Sequence, residues 1–208
     1  MGITGTYTRW IGVGGRWLLD RIVGAIAATG IHPNVLTTMG LVVNAAAAAM
    51  FARGDFRAAA AMMFLSGFLD MADGEVARRQ GRVTTFGAFL DSVLDRYSDM
   101  ILYMGLIVYY VTIGRFFYGI LAAVAMAGSV MVSYTRARAE CLIPSCKVGF
   151  MERPERMVLL IIGGAFYRLA PVLWVIAVIS TLTVIHRIVY TWQETKAGRV
   201  LPTFSRPS

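Results

Sequence analysis

Long uncharged runs recur along this chain, and they leave few folds open to it. Val35 to Ala52, Ala58 to Leu69, Met100 to Ile113, Phe116 to Ser133, Met157 to Phe166 and Pro171 to Ile185 contain no Asp, Glu, Lys or Arg. Of the 208 residues 57% are hydrophobic and only 15% charged, too apolar for an ordinary soluble domain of this size. A bilayer-spanning helix needs about 20 residues. The shorter runs must therefore extend into polar ends that lie in protein or water, and function is sought at those ends.

Turn signals divide the runs. Tyr7 to Thr29 places Trp10, Val13, Trp17, Leu18 and Ile22 at helical spacing with Arg9, Arg16, Asp20 and Arg21 elsewhere, the pattern of an amphipathic helix lying in the interface over residues 7–29. Thr29, Gly30 and Pro33 break the chain before the first span. Gly54 and Asp55 form an outer turn, a second helix runs from about Phe56 to Gln80, and a third from Thr84 to Tyr110. Gly114 and Arg115 mark the next outer turn, and a fourth helix ends near Glu140. A loop from Cys141 to Pro154 leads to a fifth, and Ala170 with Pro171 forms the last outer turn. The expected fold is an all-α integral membrane protein of one domain, 1–208. Six transmembrane helices fill 33–193, the interfacial helix precedes them, and a flexible cytosolic tail covers 194–208.

A net charge of +8 suggests a nucleic-acid partner until its distribution is followed. With a cytosolic N-terminus and six spans, one side receives 16 of the 20 Lys and Arg residues and the other four, Arg53, Arg57, Arg115 and Arg168. That asymmetry is the positive-inside pattern, so the basic charge answers the membrane and no nucleic acid is implied. It places both termini in the cytosol, in a multi-pass protein of the cell membrane. No cleavable signal peptide is expected, because Arg9, Arg16 and Asp20 interrupt the first twenty residues. Cys141 and Cys146 lack the partners of a zinc site.

The segment from Asp70 to Asp95, DMADGEVARRQGRVTTFGAFLDSVLD, carries the chemistry. Asp70 and Asp73 are three apart, Asp91 and Asp95 four apart, so each pair occupies one face of its helix. The short turn at Gly81 to Val83 makes the helices antiparallel neighbours and lets four carboxylates converge. Clustered carboxylates repel unless cations lie between them, and hard oxygen ligands suit Mg²⁺ or Mn²⁺. Gly74, Ala77 and Gly87 leave room for a ligand or a neighbouring backbone. Arg78 offers a fork of donors for a pyrophosphate. Thr84, Asn34 and Thr37 read, on their own, as helix caps.

The spacing Asp70, Asp73, Gly74, Ala77, Arg78, Gly87, Asp91, Asp95 resembles the signature of the CDP-alcohol phosphatidyltransferase family at every fixed position. The resemblance implies a metal site of Asp70, Asp73, Asp91 and Asp95, with Asp95 also the catalytic base. It implies CDP-lipid contacts at Gly74, Arg78 and Thr84, with Asn34 and Thr37 as weaker members, and a homodimer.

Downstream, SYTRARAE (Ser133 to Glu140) and GFMERPERMVLL (Gly149 to Leu160) bring Arg136, Arg138, Arg153 and Arg156 to the same rim, and Arg187 lies near the end of the last helix. Several fixed cations suit an acceptor phosphate. The paired elements are similar to those of phosphatidylinositol phosphate synthases and their archaeal ether-lipid relatives. The implied function is metal-dependent transfer of a phosphatidyl group from a CDP-lipid, CDP-diacylglycerol or CDP-archaeol, to inositol phosphate with release of CMP. Glycerol 3-phosphate is the main alternative acceptor within that chemistry, with free inositol and serine also open. A divalent-cation transporter, which needs the carboxylates but neither base nor nucleotide contacts, is the alternative outside it.

Overall fold

The computed structural model describes residues 30–199 together with Arg21, Gly24 and Leu201. Six helices and no strand occur among them: α1 (Pro33–Arg53), α2 (Phe56–Arg79), α3 (Thr85–Thr112), α4 (Phe116–Ala139), α5 (Arg153–Ala165) and α6 (Leu169–Lys196). Apart from Arg21 and Gly24, the interfacial helix expected over 7–29 lies outside the described residues.

The helix ends follow from local chemistry. Pro33 opens α1, where its missing N–H costs nothing, and His32 caps it, Nδ1 accepting from the Asn34 N–H. The cap expected of Asn34 thus belongs to its neighbour but one. Gly54, at φ +81°, stops α1 in the left-handed conformation that glycine adopts without strain. Asp55 caps α2, and Thr84 caps α3 with Oγ1 2.9 Å from the Gly87 N–H it accepts. The last outer turn differs from expectation. It lies at 166–168, with Tyr167 at φ +55°, and α6 has begun by Leu169. Ala170 and Pro171 sit in the first helical turn, which tolerates proline because those N–H groups have no intrahelical partner. α6 also runs past Gln193 to Lys196, and beyond it the Leu201 N–H donates to the Leu142 carbonyl.

The pairwise contacts close a ring, α1 to α2, α5, α6, α4, α3 and back to α1. Inside it Phe51, Met63, Leu102, Leu106, Leu160, Leu173 and Ile176 are buried. Outside, Val42, Phe64, Phe116, Ile120 and Leu182 are exposed, an apolar surface of the kind that lipid or another protein surface covers. α1, α4 and α6 are each long and apolar enough to cross a bilayer. α5, with 13 residues, rises about 20 Å.

Small residues set the closest approaches. A methyl added at Gly105 of α3 would run into the Ala48 carbonyl of α1 and lie 3.0 Å from Ala48 Cα. Backbone cannot step aside as a side chain can. Gly105→Ala is therefore expected to cost about 3 kcal/mol and to lower the melting temperature of detergent-solubilised protein. An unchanged melting temperature would show that α1 and α3 are not held this closely.

Candidate active site

The acids stand at one end of the ring, where α2 and α3 meet the start of α1. Thr37 of α1 donates its hydroxyl to Asp73 Oδ2 at 2.7 Å, so it orients an acid rather than capping a helix. Three residues on, Gly40 makes room for Asp70: a Cβ there would lie 2.6 Å from Asp70 Oδ1. At Gly87 a Cβ would come within 3.6 Å of Asn34 Oδ1, so α1 and α3 also converge here.

The expected nucleotide contacts share one cavity of ≈ 310 Å³, whose lining includes Asn34, Thr37, Gly74, Arg78 and Thr84 together with Asp73, Gly87 and Asp91. Arg78 stands at its edge, largely exposed, with Nε 3.0 Å and Nη2 2.7 Å from Glu75 Oε2. A second cavity of ≈ 300 Å³ is lined by Asp95, Asp99, Arg136, Arg153, Arg156 and Arg187, with Glu140 and Glu152. Asp91 borders the first and Asp95 the second. One turn of α3, about 6 Å of rise, separates them.

Arg153 ties the two pairs of acids together. Its Nη2 lies 2.8 Å from Asp70 Oδ2 and its Nη1 2.9 Å from Asp95 Oδ1, with Nε 3.5 Å from Asp99 Oδ1. Arg156 is buried with Nη2 2.6 Å from Asp99 Oδ2 and Nη1 3.0 Å from the Met151 carbonyl. Arg187, equally buried, donates to the Val132 and Val148 carbonyls and to Glu152. Arg136 pairs with Glu140 and Glu152.

Arg138 does not join them. It is exposed and lines a separate groove with Tyr134, Leu142 and Trp192. Residues two apart on a helix point about 200° apart, so with Arg136 turned inward Arg138 faces away.

Asp99, Glu140 and Glu152 were missed in the sequence. Asp99 continues the spacing of Asp91 and Asp95 by one more turn, a signal that was available. The two glutamates lie inside motifs read only for their arginines. They make the second cavity a charge-paired site rather than a simply basic one.

The donor chemistry at the acids fits a hard divalent cation. Asp70 Oδ2 is buried without a hydrogen bond of good geometry despite its ion pair with Arg153. As they stand, no three His, Cys, Asp or Glu side chains among the described residues are grouped to hold a metal ion, and Arg153 lies between Asp70 and Asp95.

Fold and site together define an all-helical membrane protein with an acid-lined site beside an arginine-bearing cavity. A family model described as CDP-alcohol phosphatidyltransferase matches residues 30–192. An archaetidylinositol phosphate synthase of Methanothermobacter thermautotrophicus is 40% identical over 187 residues, covering 87% of this chain and 92% of the relative. A phosphatidylinositol phosphate synthase of Streptomyces avermitilis is 35% identical, covering 79% and 74%. The crystal structure of Mycobacterium tuberculosis phosphatidylinositol phosphate synthase with CDP-DAG bound superposes with a TM-score of 0.78 at 28% identity, covering 91% of this chain and 98% of that one. The same enzyme in complex with manganese and citrate gives 0.78 as well, at 28% identity over 91% and 93%. This chain belongs to the CDP-alcohol phosphatidyltransferase family and is a transferase.

Proposed function

We propose that this enzyme transfers a phosphatidyl group, diacyl or archaeal ether-linked, from a CDP-lipid to inositol phosphate. The observation that carries the reading is the pair of cavities meeting across Asp91 and Asp95, one lined by every expected CDP contact and the other by five arginines, Arg96 among them. The relatives named for making inositol phosphate lipids supply the inositol ring; the arginines argue only for a phosphate on the acceptor.

In this reading the nucleotide lies against Asn34, Gly74 and Thr84, and Arg78 turns from Glu75 to the pyrophosphate. Asp70, Asp73, Asp91 and Asp95 would hold Mg²⁺ or Mn²⁺, which would neutralise the carboxylates and polarise the phosphoryl group. Asp95 faces the acceptor cavity, so it is placed to take the proton of the attacking hydroxyl. A phosphoester bond then forms to the lipid-side phosphorus, the phosphoanhydride bond breaks and CMP leaves. Arg136, Arg153, Arg156 and Arg187 surround the acceptor phosphate, and Arg138 is released from that role.

The same reading has all six helices crossing the membrane in a single domain, α5 with the help of the loop before it. Both termini and the site face the cytosol, and the resemblance brings a homodimer with it. Tails of the donor reach lipid along the exposed face of α1, where Val35, Met39 and Val42 line an open groove.

The deciding experiment offers inositol 1-phosphate, glycerol 3-phosphate, inositol and serine at equal concentration to purified enzyme with labelled CDP-lipid. Inositol 1-phosphate is expected to be used at least about tenfold faster than free inositol, since a charge-assisted hydrogen bond to phosphate contributes about 1.5–3 kcal/mol. Preference for an unphosphorylated alcohol overturns the phosphate pocket. Preference for glycerol 3-phosphate keeps the pocket and discards the ring, and cation transport without CMP release would remove the enzyme reading.

A further inference from the structure

Arg153 is the first residue of α5, yet it neutralises acids on two other helices. Its ion pairs reach Asp70 on α2 and Asp95 on α3, while Nε stays 3.5 Å from Asp99. The same side chain lines the arginine cavity. It therefore borders both parts of the site at once.

Its hold on the acids is less enclosed than that of Arg156 on Asp99. Asp70 Oδ2 and Arg153 Nε make no hydrogen bond of good geometry, and the Arg153 side chain is 21% exposed. Arg156, by contrast, is 2% exposed and fixed by aligned bonds to Asp99 and the Met151 carbonyl. Arg136 and Arg187 have Glu140 and Glu152 as partners. Of the five arginines that line the cavity, Arg96 donates to the Ser92 carbonyl, and among the described residues Arg153 alone is ion-paired with carboxylates assigned above to the metal.

We propose that Arg153 is a resident counter-cation that a divalent ion replaces. An ion taken up by Asp70 and Asp95 repels the guanidinium and removes its partners. The side chain then pivots on Asp99 into the arginine cavity and adds its fork of donors to the acceptor phosphate. Metal and phosphorylated acceptor bind with positive coupling through this one side chain, and an exchange of this kind must be reciprocal. The inference rests on the metal reading above and adds to it an order: the acceptor pocket is completed only after the ion is in place. Before that, Arg153 spares Asp70 and Asp95 from standing unpaired, which is costly away from water.

The test is titration of Mn²⁺ into the purified full chain, with and without inorganic phosphate, followed by calorimetry. In the wild type, phosphate is expected to tighten Mn²⁺ and Mn²⁺ to tighten phosphate by the same factor. Arg153→Gln is expected to bind Mn²⁺ alone about tenfold more tightly, because no resident cation has to leave, and to lose the coupling. Arg136→Gln removes one charge from the same cavity without touching Asp70 or Asp95, and should change Mn²⁺ affinity by no more than about twofold. Arg153→Gln binding no tighter than wild type, undiminished coupling in that variant, or an equal gain in Arg136→Gln would each overturn the exchange. Should Arg153→Gln fail to fold, the wild-type titration still decides: no tightening by phosphate rejects it. Asp91→Asn and Asp70→Asn separate the two readings. Mn²⁺ affinity untouched by either variant sinks the metal site itself, whereas affinity lost in both with no gain in Arg153→Gln sinks only the exchange.

Discussion

Asp95→Asn is expected to lower CMP release by about 10²–10⁴-fold, the range for loss of a positioned general base, while leaving CDP-lipid binding largely in place. The geometry separates these outcomes. Asp95 lines the cavity proposed for the acceptor and not the one proposed for the nucleotide, so an amide in its place would remove the proton acceptor without altering the walls of the nucleotide cavity in that reading. In the metal-free enzyme its oxygen can still accept from Arg153 Nη1. The loss should fall on kcat rather than on the KM for CDP-lipid. Metal affinity has to be measured in the same variant, because Asp95 also belongs to the carboxylate set. CMP release near the normal rate would reject its role as base.

The sequence exposed the parts of this molecule that local chemistry determines. Gly54, Asp55, Thr84 and Gly114 punctuate the helices, and those boundaries were read to within a residue or two. Spacing alone put Asp70 with Asp73 and Asp91 with Asp95 on single helix faces. Partners separated by long stretches of chain were not legible in this way. The ion pairs from Arg153 to Asp70 and from Arg156 to Asp99 depend on α5 meeting α2 and α3, and no periodicity within one segment reports which helices meet. Thr37 has the same history: alone it reads as a cap, and only the α1 to α2 contact turns its hydroxyl to Asp73. Arg138 shows the opposite error. A basic cluster read as a unit ignored the helical rotation that turns alternate members apart.

Removal of divalent metal is expected to have a different signature from Asp95→Asn, with binding and turnover lost together. Arg153 compensates Asp70 and Asp95, but Asp73 has the Thr37 hydroxyl as its partner, and Asp91 forms no ion pair among the described residues. Both line the cavity proposed for the nucleotide. A pyrophosphate entering there brings further negative charge to two carboxylates, and Arg78 at the edge is shared with Glu75. Without a divalent ion that encounter is repulsive, so CDP-lipid affinity should fall along with the rate. Loss of several kcal/mol of charge stabilisation in the transition state corresponds to at least about 10³-fold in turnover. Dialysis against excess chelator, followed by measurement of both CDP-lipid binding and CMP release, and then readdition of Mg²⁺ or Mn²⁺, checks this. Full turnover in chelator would remove the metal from the reaction. Lost turnover with intact CDP-lipid binding would keep the metal in the chemistry and show that Arg78 and its neighbours hold the pyrophosphate unaided.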